Sequence, residues 1–164
     1  MVLISATLTT GLIAGVFYSF ACSVMLGLGK ADDRTFIDAM QRINEAILNG
    51  WFLLSFGGAW VLTIVAGLLY RRIDPHSALG WIVAAFALYT LMIVITAFIN
   101  VPLNDKLAAA GAPEQITDLT RVRDAFEGTW VMWNIVRAVA CTAAFGCLCW
   151  ALVLQGQIRS LTGR

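Results

Sequence analysis

With 164 residues, 60% of them hydrophobic and 13% charged, and a mean hydropathy of +0.81, the chain falls far outside the roughly 25% charged composition of soluble domains. It reads as a single integral membrane domain over residues 1–164, which excludes an ordinary water-soluble enzyme. A net charge of +1 is uninformative about nucleic acid, and with no basic cluster to suggest it no nucleic-acid partner is expected.

Four stretches, about residues 2–29, 51–70, 79–101 and 129–154, reach the ~20 apolar residues that a spanning helix needs. The first has no basic leader and runs well past the ~7–15 apolar residues of a signal peptide, so it is read as a retained span. It carries Gly11, Gly15, Ser19, Ser23 and Gly27, a small residue at every fourth position. Such a ridge lets another backbone approach closely in lipid. The simpler partner is a helix of the same chain; the alternative is a seam for a homo-oligomer or another membrane protein.

Between residues 30 and 50, Phe36, Met40, Ile43 and Ile47 recur at helical spacing with Asp38, Arg42 and Glu45 largely elsewhere, which predicts an amphipathic helix. Asp32 or Asp33 would cap its start, and Asn49-Gly50 would stop it. Besides its aromatics, the second span has only Ser55 and Thr63 as side-chain hydrogen-bonding groups and reads as lipid-facing or packing scaffold. His76, the one histidine, falls in the short Arg71–His76 connector and reads as an exposed turn residue.

Span three ends in Asn100-Val101-Pro102-Leu103-Asn104-Asp105. Proline pushes Val101 away from helical geometry, so a break or kink is expected here. Asn100 and Asn104 would then satisfy freed carbonyls, either at a site or as plain helix-end caps. After a small-residue link, Pro113-Glu114-Gln115 reads as a helix start. The stripe Ile116, Leu119, Val122 and Phe126 makes a second amphipathic segment that leads into span four.

Span four contains Arg137 in an otherwise uncharged run. Centring a guanidinium in a bilayer costs from ~2.5 to above ~10 kcal/mol depending on the scale, and such residues face a bundle interior or a wet cavity. Trp130, Trp133, Asn134 and Arg137 differ by three, four or seven positions and share one helix face. Cys22, Cys141, Cys147 and Cys149 all lie within spans without Cys-x-x-Cys or histidine spacing, and read as packing residues.

Shifted by 79 positions, Arg42, Ile43, Glu45, Ala46 and Trp51 fall on Arg121, Val122, Asp124, Ala125 and Trp130. Each half, about 1–78 and 79–164, has the order span, amphipathic helix, span, which predicts a parallel repeat. Both amphipathic helices then lie on one side. Arg71, Arg72, Arg159 and Arg164, against Asp74 alone, place the other side and both termini in the cytoplasm, with a bacterial plasma membrane as the expected location. The fold expected is an all-α, integral membrane four-helix bundle, two parallel helix-pair repeats with two amphipathic helices on the non-cytoplasmic side.

Met40-Gln41-Arg42-Ile43-Asn44, Asn100-Val101-Pro102-Leu103-Asn104 and the Trp130, Asn134, Arg137 spacing together resemble the anthrone oxygenase family, small four-span proteins long carried as a domain of unknown function. The resemblance covers nearly the whole chain; Leu26 stands where relatives often have proline. It implies a helical membrane protein, some of whose relatives convert polyketide anthrones to anthraquinones with O2 and no evident cofactor.

These residues frame two functions. The first is a cofactor-independent, metal-free oxygenase for a lipophilic phenol, anthrone or quinone: Arg137, Asn134 and Asn104 would do the chemistry, and Asn100, Trp130, Trp133 and Asn44 would bind substrate. Asp105 and Glu127 are the acids nearest the mouth. The second is a non-catalytic membrane subunit that binds a lipid, quinone or protein, with Arg137 on a phosphate or on carbonyls freed at Pro102. An anion transporter ranks third. A purely structural arginine bonded to helix-end carbonyls is the plain alternative to all of them.

Overall fold

A computed structural model describes residues 1–73 and 78–162. Among these there is helix and turn but no strand. Helix α1 is Val2–Leu28, interrupted by a widened π turn at Phe20–Val24; α2 is Asp33–Ala46; α3 is Gly50–Ile73. Helix α4 is Leu79–Ala109, with a second π turn at Thr96–Asn100, and after a single 3-10 turn at Pro113–Gln115 the chain enters α5, Leu119–Thr162. α1, α3, α4 and α5 are each long and apolar enough to cross a membrane. They close a ring in which α1 packs on α3 and α5, and α4 packs on α5 and α3. His76 lies outside the described residues, as do Asp74, Arg164 and the side chain of Arg159.

Alanine sets the closeness of this ring. Ala6, Ala59, Ala66, Ala85, Ala144 and Ala151 are buried at the contacts, with Ile13, Ile82, Tyr89, Met92 and Leu148 filling between them. Lipid is as apolar as leucine, so helices associate in it through such close fit. A second, separate core lies at the capped end. There Phe36, Ile37 and Met40 of α2 are wholly buried against Leu107, Phe126 and Trp130. The predicted stripe of α2 is thus split: Phe36 and Met40 go into this core, while Ile43 and Ile47 are half-buried.

Three boundaries differ from expectation. Pro102 does not break its helix: Val101 is helical, at φ −63° and ψ −49°, and α4 continues to Ala109. The π turn immediately before it widens the helix where proline would otherwise collide with the preceding turn. The final helix starts at Leu119 instead of Pro113, since Ile116 is extended and Asp118 takes the capping role, accepting from the Arg121 amide at 3.0 Å. The second amphipathic segment is therefore the first part of α5 itself. Asn49 serves as a corner as much as a stop: α2 has already ended at Ala46, whose carbonyl accepts from Asn49 Nδ2, and Asn49 Oδ1 caps α3 through the Phe52 amide at 3.0 Å.

The small-residue ridge of α1 is used inside the chain only at its first position. A Cβ on Gly11 would come within 2.9 Å of the Phe145 ring, whereas one on Gly15 or Gly27 would meet nothing within 4 Å, and Ser19 and Ser23 are exposed.

One arginine fastens the cap. Arg123 of α5 donates to the carbonyls of Gly29 (3.0 Å) and Ala31 (2.9 Å), pairs with Asp33 and Glu127, and lies over the Phe36 ring. Asp32 caps α2 through the Thr35 amide, so the α1–α2 turn is held from both directions. Arg123→Ala would strand two carbonyls and two carboxylates. We expect a loss of ~2 kcal/mol, or roughly 4–8 °C in Tm by calorimetry.

Asp33 supplies the pH dependence of this clasp. Hydrogen bonds from the Thr120 hydroxyl and then from Arg123 hold its carboxyl below the ordinary 3.8. A depressed carboxylate contributes fully above its unfolded value and is lost as pH falls through the lower folded one. Amide exchange in residues 29–33 is therefore expected to stay slow from pH 7 to about 4 and to accelerate only below that. Acceleration beginning near pH 6 would assign the clasp to another group.

Candidate functional site

Between the ring and the cap lies a cavity of about 480 Å³, within the ~300–1,000 Å³ range of small-molecule sites. Phe17 and Phe20 come from α1, Asn44 and Glu45 from α2, Phe52 from α3, Thr96, Asn104 and Asp105 from α4, and Trp130, Asn134 and Arg137 from α5. Every spanning helix contributes.

Arg137 is 5% exposed, and no carboxylate pairs with it among the described residues. Its Nη2 donates to Asn134 Oδ1 at 3.0 Å, its Nη1 makes a long bond of 3.4 Å to Thr96 Oγ1, and its buried Nε has no partner. The guanidinium carbon lies 4.6 Å from the Phe17 ring centroid and 5.3 Å from that of Trp130. Aromatic faces and neutral oxygens soften a buried cation without neutralising it. Among the described residues none of its bonds goes to a main-chain carbonyl, so the alternative in which it ties down carbonyls freed at Pro102 is not what the fold shows.

Its neighbours are held by bonds across helices. Asn134 Nδ2 donates to the Phe17 carbonyl at 3.2 Å, three residues before the first π turn. Asn100, at the end of the second, donates Nδ2 to the Trp130 carbonyl at 3.2 Å. Trp130 in turn donates its indole N–H to Asn104 Oδ1 at 2.7 Å. Asn134 and Asn104 therefore use an amide oxygen on protein partners. Asn44 differs, since its Nδ2 is buried with no partner and the residue lines the cavity. Two donors, Arg137 Nε and Asn44 Nδ2, are thus left without acceptors.

Of the residues singled out in the sequence, Asn44, Asn104, Trp130, Asn134 and Arg137 line this one space. Asn100 is wholly buried behind the wall and positions Trp130. Trp133 is half-buried and does not line the cavity, lying ~60° around the helix from Trp130. Asp105 is at the mouth, but Glu127 is engaged by Arg123 at 2.6 Å and does not line the cavity, and the second mouth carboxylate is Glu45. Sequence reasoning missed Phe17, Thr96 and Glu45. Phe17 carried no polar mark, Thr96 was a lone hydroxyl in an apolar span, and Glu45 looked like one more charge on a solvated face. Among the described residues no three His, Cys, Asp or Glu side chains converge as a metal site. The cysteines are free, Cys141 buried with its thiol toward the Thr10 carbonyl and Cys22 exposed.

A buried cation with no counter-charge is a stability cost retained by the fold. Replacing it with an apolar chain of similar length should relieve that cost. Arg137→Met is expected to raise the Tm of the ligand-free protein, by ~1–3 kcal/mol of stability. A lowered Tm would mean that Arg137 holds the bundle together.

A family model described as anthrone oxygenase matches residues 51–147. That range takes in α3, α4 and the part of α5 that carries Trp130, Asn134 and Arg137. No curated protein and no solved structure matches the chain.

Proposed function

The chain belongs to the anthrone oxygenase family, and from that premise we propose that its cavity binds a flat, lipophilic phenol or anthrone as the oxygen anion and exposes that anion to O2. The observation that carries this reading is the unpaired Arg137 guanidinium, with its free Nε, in the wall of an aromatic-lined cavity. An opposite charge in low dielectric stabilises the ionised form of a weak acid, so an enolate or phenolate oxygen completes what the fold leaves open. Asn44 Nδ2 offers a second donor for a carbonyl or hydroxyl oxygen of the same molecule, and Trp130 and Phe20, with ring centroids 5.7 Å apart, offer faces for its rings.

For an anthrone the atoms balance when one ring methylene and one molecule of O2 give one ketone carbonyl and one molecule of water. Loss of one methylene proton gives the enolate, whose negative oxygen Arg137 holds. The electron-rich carbon reduces O2 and bonds to one of its atoms. The resulting hydroperoxide loses the second C–H proton and the distal oxygen as water, leaving the ketone. Glu45 and Asp105 at the mouth are the carboxylates available to carry the first proton away through water. In a bacterial plasma membrane, with the termini cytoplasmic, the capped end would face outward.

A second reading has the same cavity hold a quinone or lipid without reacting. It is favoured by one feature: the groups touching Arg137 are neutral, and both mouth carboxylates are exposed instead of beside it. Native mass spectrometry with organic extraction of detergent-purified protein, followed by O2 uptake on added anthrone, separates the two. A quinone, polyphenol or lipid is expected in the parent and missing from Arg137→Ala. Oxygen uptake is expected to fall at least tenfold in Arg137→Ala and to recover little in Arg137→Lys, whose ammonium lacks the planar fork. Equal uptake in parent and both variants would remove Arg137 from the mechanism, and bound ligand without uptake would favour the holder.

A further inference from the structure

The walls of the cavity are unequal. Helix α3 begins at Gly50, less than two turns before Phe56, whereas α4 continues more than five turns past Tyr89 to Ala109. These two helices make the least extensive contact of the four neighbouring pairs. What joins them lies at and beyond Phe56: the Tyr89 hydroxyl donates to the Phe56 carbonyl at 2.9 Å, Trp60 Nε1 donates to Thr90 Oγ1 at 3.0 Å, and Trp60 stacks on Phe86. At the level of the cavity the fourth wall is therefore only the α2–α3 corner. Leu48 and Phe52 on this corner and Val101 on α4 all line the cavity, yet Leu48 is 67% and Val101 42% exposed on the apolar outer surface.

The roof is closed by comparison. Gln41 of α2 donates to the carbonyls of Leu107 (2.8 Å) and Gly111 (3.0 Å), tying α2 across the end of α4 above the cavity. Behind it Phe36, Ile37 and Met40 pack without exposure. Glu45 and Asp105 stand on the water-facing part of the rim, and both are exposed.

We infer that the ligand reaches Arg137 sideways from the bilayer, through a portal between the α2–α3 corner and α4 rimmed by Leu48, Phe52 and Val101, and that it enters uncharged. The inference rests on the reading of the cavity as a ligand site. The apolar rim passes hydrocarbon and aromatic surface out of lipid without a step through water. The two carboxylates repel an anion from the water-facing part of the rim, so a phospholipid phosphate is disfavoured and a neutral, weakly acidic hydroxyl compound is selected. Ionisation then takes place inside, beside the guanidinium. Leu48, Phe52 and Val101 set which shapes pass; they do not hold the bound molecule.

The test uses the full chain in phosphatidylcholine vesicles and 1,8-dihydroxyanthraquinone, whose colour shifts when a phenol ionises. Stopped-flow absorbance reads the rate, with Arg137→Met as the control for ionisation at the site. Val101→Trp is expected to slow the colour change at least tenfold while its final amplitude at saturation stays within twofold. Ala112→Trp, which crowds the connector on the aqueous side, is expected to leave the rate within twofold. Leu48→Trp, on the opposite rim, repeats the plug should Val101→Trp not yield monodisperse protein. Parental rates in the plugged variants, or slowing by Ala112→Trp instead, would overturn the portal while leaving the site intact. A parent with no Arg137-dependent colour change would remove the cavity reading and the portal with it.

Discussion

A guanidinium that meets no counter-ion among the described residues organises the polar half of this bundle. Arg137 has been taken out of water and given two aromatic faces, one amide oxygen and one distant hydroxyl, which is less than a buried cation needs. Nearly every other buried polar bond at that level acts on its surroundings. Asn134 fixes its own side chain on α1 while offering its oxygen to the arginine, and Asn100 and Asn104 together fix Trp130, whose ring lies within reach of the cation. Loss of one of these asparagines would act through the placement of Arg137 and Trp130.

The two π turns explain how such bonds form without breaking the helices. Both precede the capped end, one in α1 and one in α4, and both lie beside an asparagine link to α5. A wide turn disturbs the regular main-chain ladder within an otherwise continuous helix, and it re-aims the side chains that follow. In α4 it also makes room for Pro102, so proline and π turn act as one device. Irregular backbone at membrane depth is tolerated where it borders protein or a cavity, and here it borders the cavity that Arg137 faces.

The spans, the amphipathic α2 and most of the cavity polar set were legible because each depends on local spacing or on a residue type costly in lipid. Arg137 announces itself by cost, and Trp130 and Asn134 follow from helical period. The continuity of α4 was not legible, since a proline rule applied residue by residue cannot register a π turn lying entirely before it. The start of α5 was missed for a related reason: Pro113 and Asp118 both carry start signals, and tertiary packing of Pro113 into the cap, where it is buried, left only a single 3-10 turn there. Glu127 shows the limit of placing a side chain by sequence distance. Three residues from Trp130 and seven from Asn134, it nonetheless turns to the Arg123 clasp and does not line the cavity.

The 79-residue offset read from the sequence, taken as an alignment of the two halves, sets residues of the clasp against residues of the cavity. Under it Asn44, which lines the cavity with an unmet donor, falls on Arg123, which makes four hydrogen bonds and closes the cap. Trp51, 85% exposed, falls on Trp130, 4% exposed, and Gly58, with open space around it, falls on Arg137. Residues set against each other by this offset thus differ in their surroundings. Arg123 meets two carbonyls and two carboxylates, whereas Asn44 Nδ2 and Arg137 Nε are left without partners beside the cavity. Burying Asn44 Nδ2 and Arg137 Nε without partners costs stability that a fully packed bundle would not forgo.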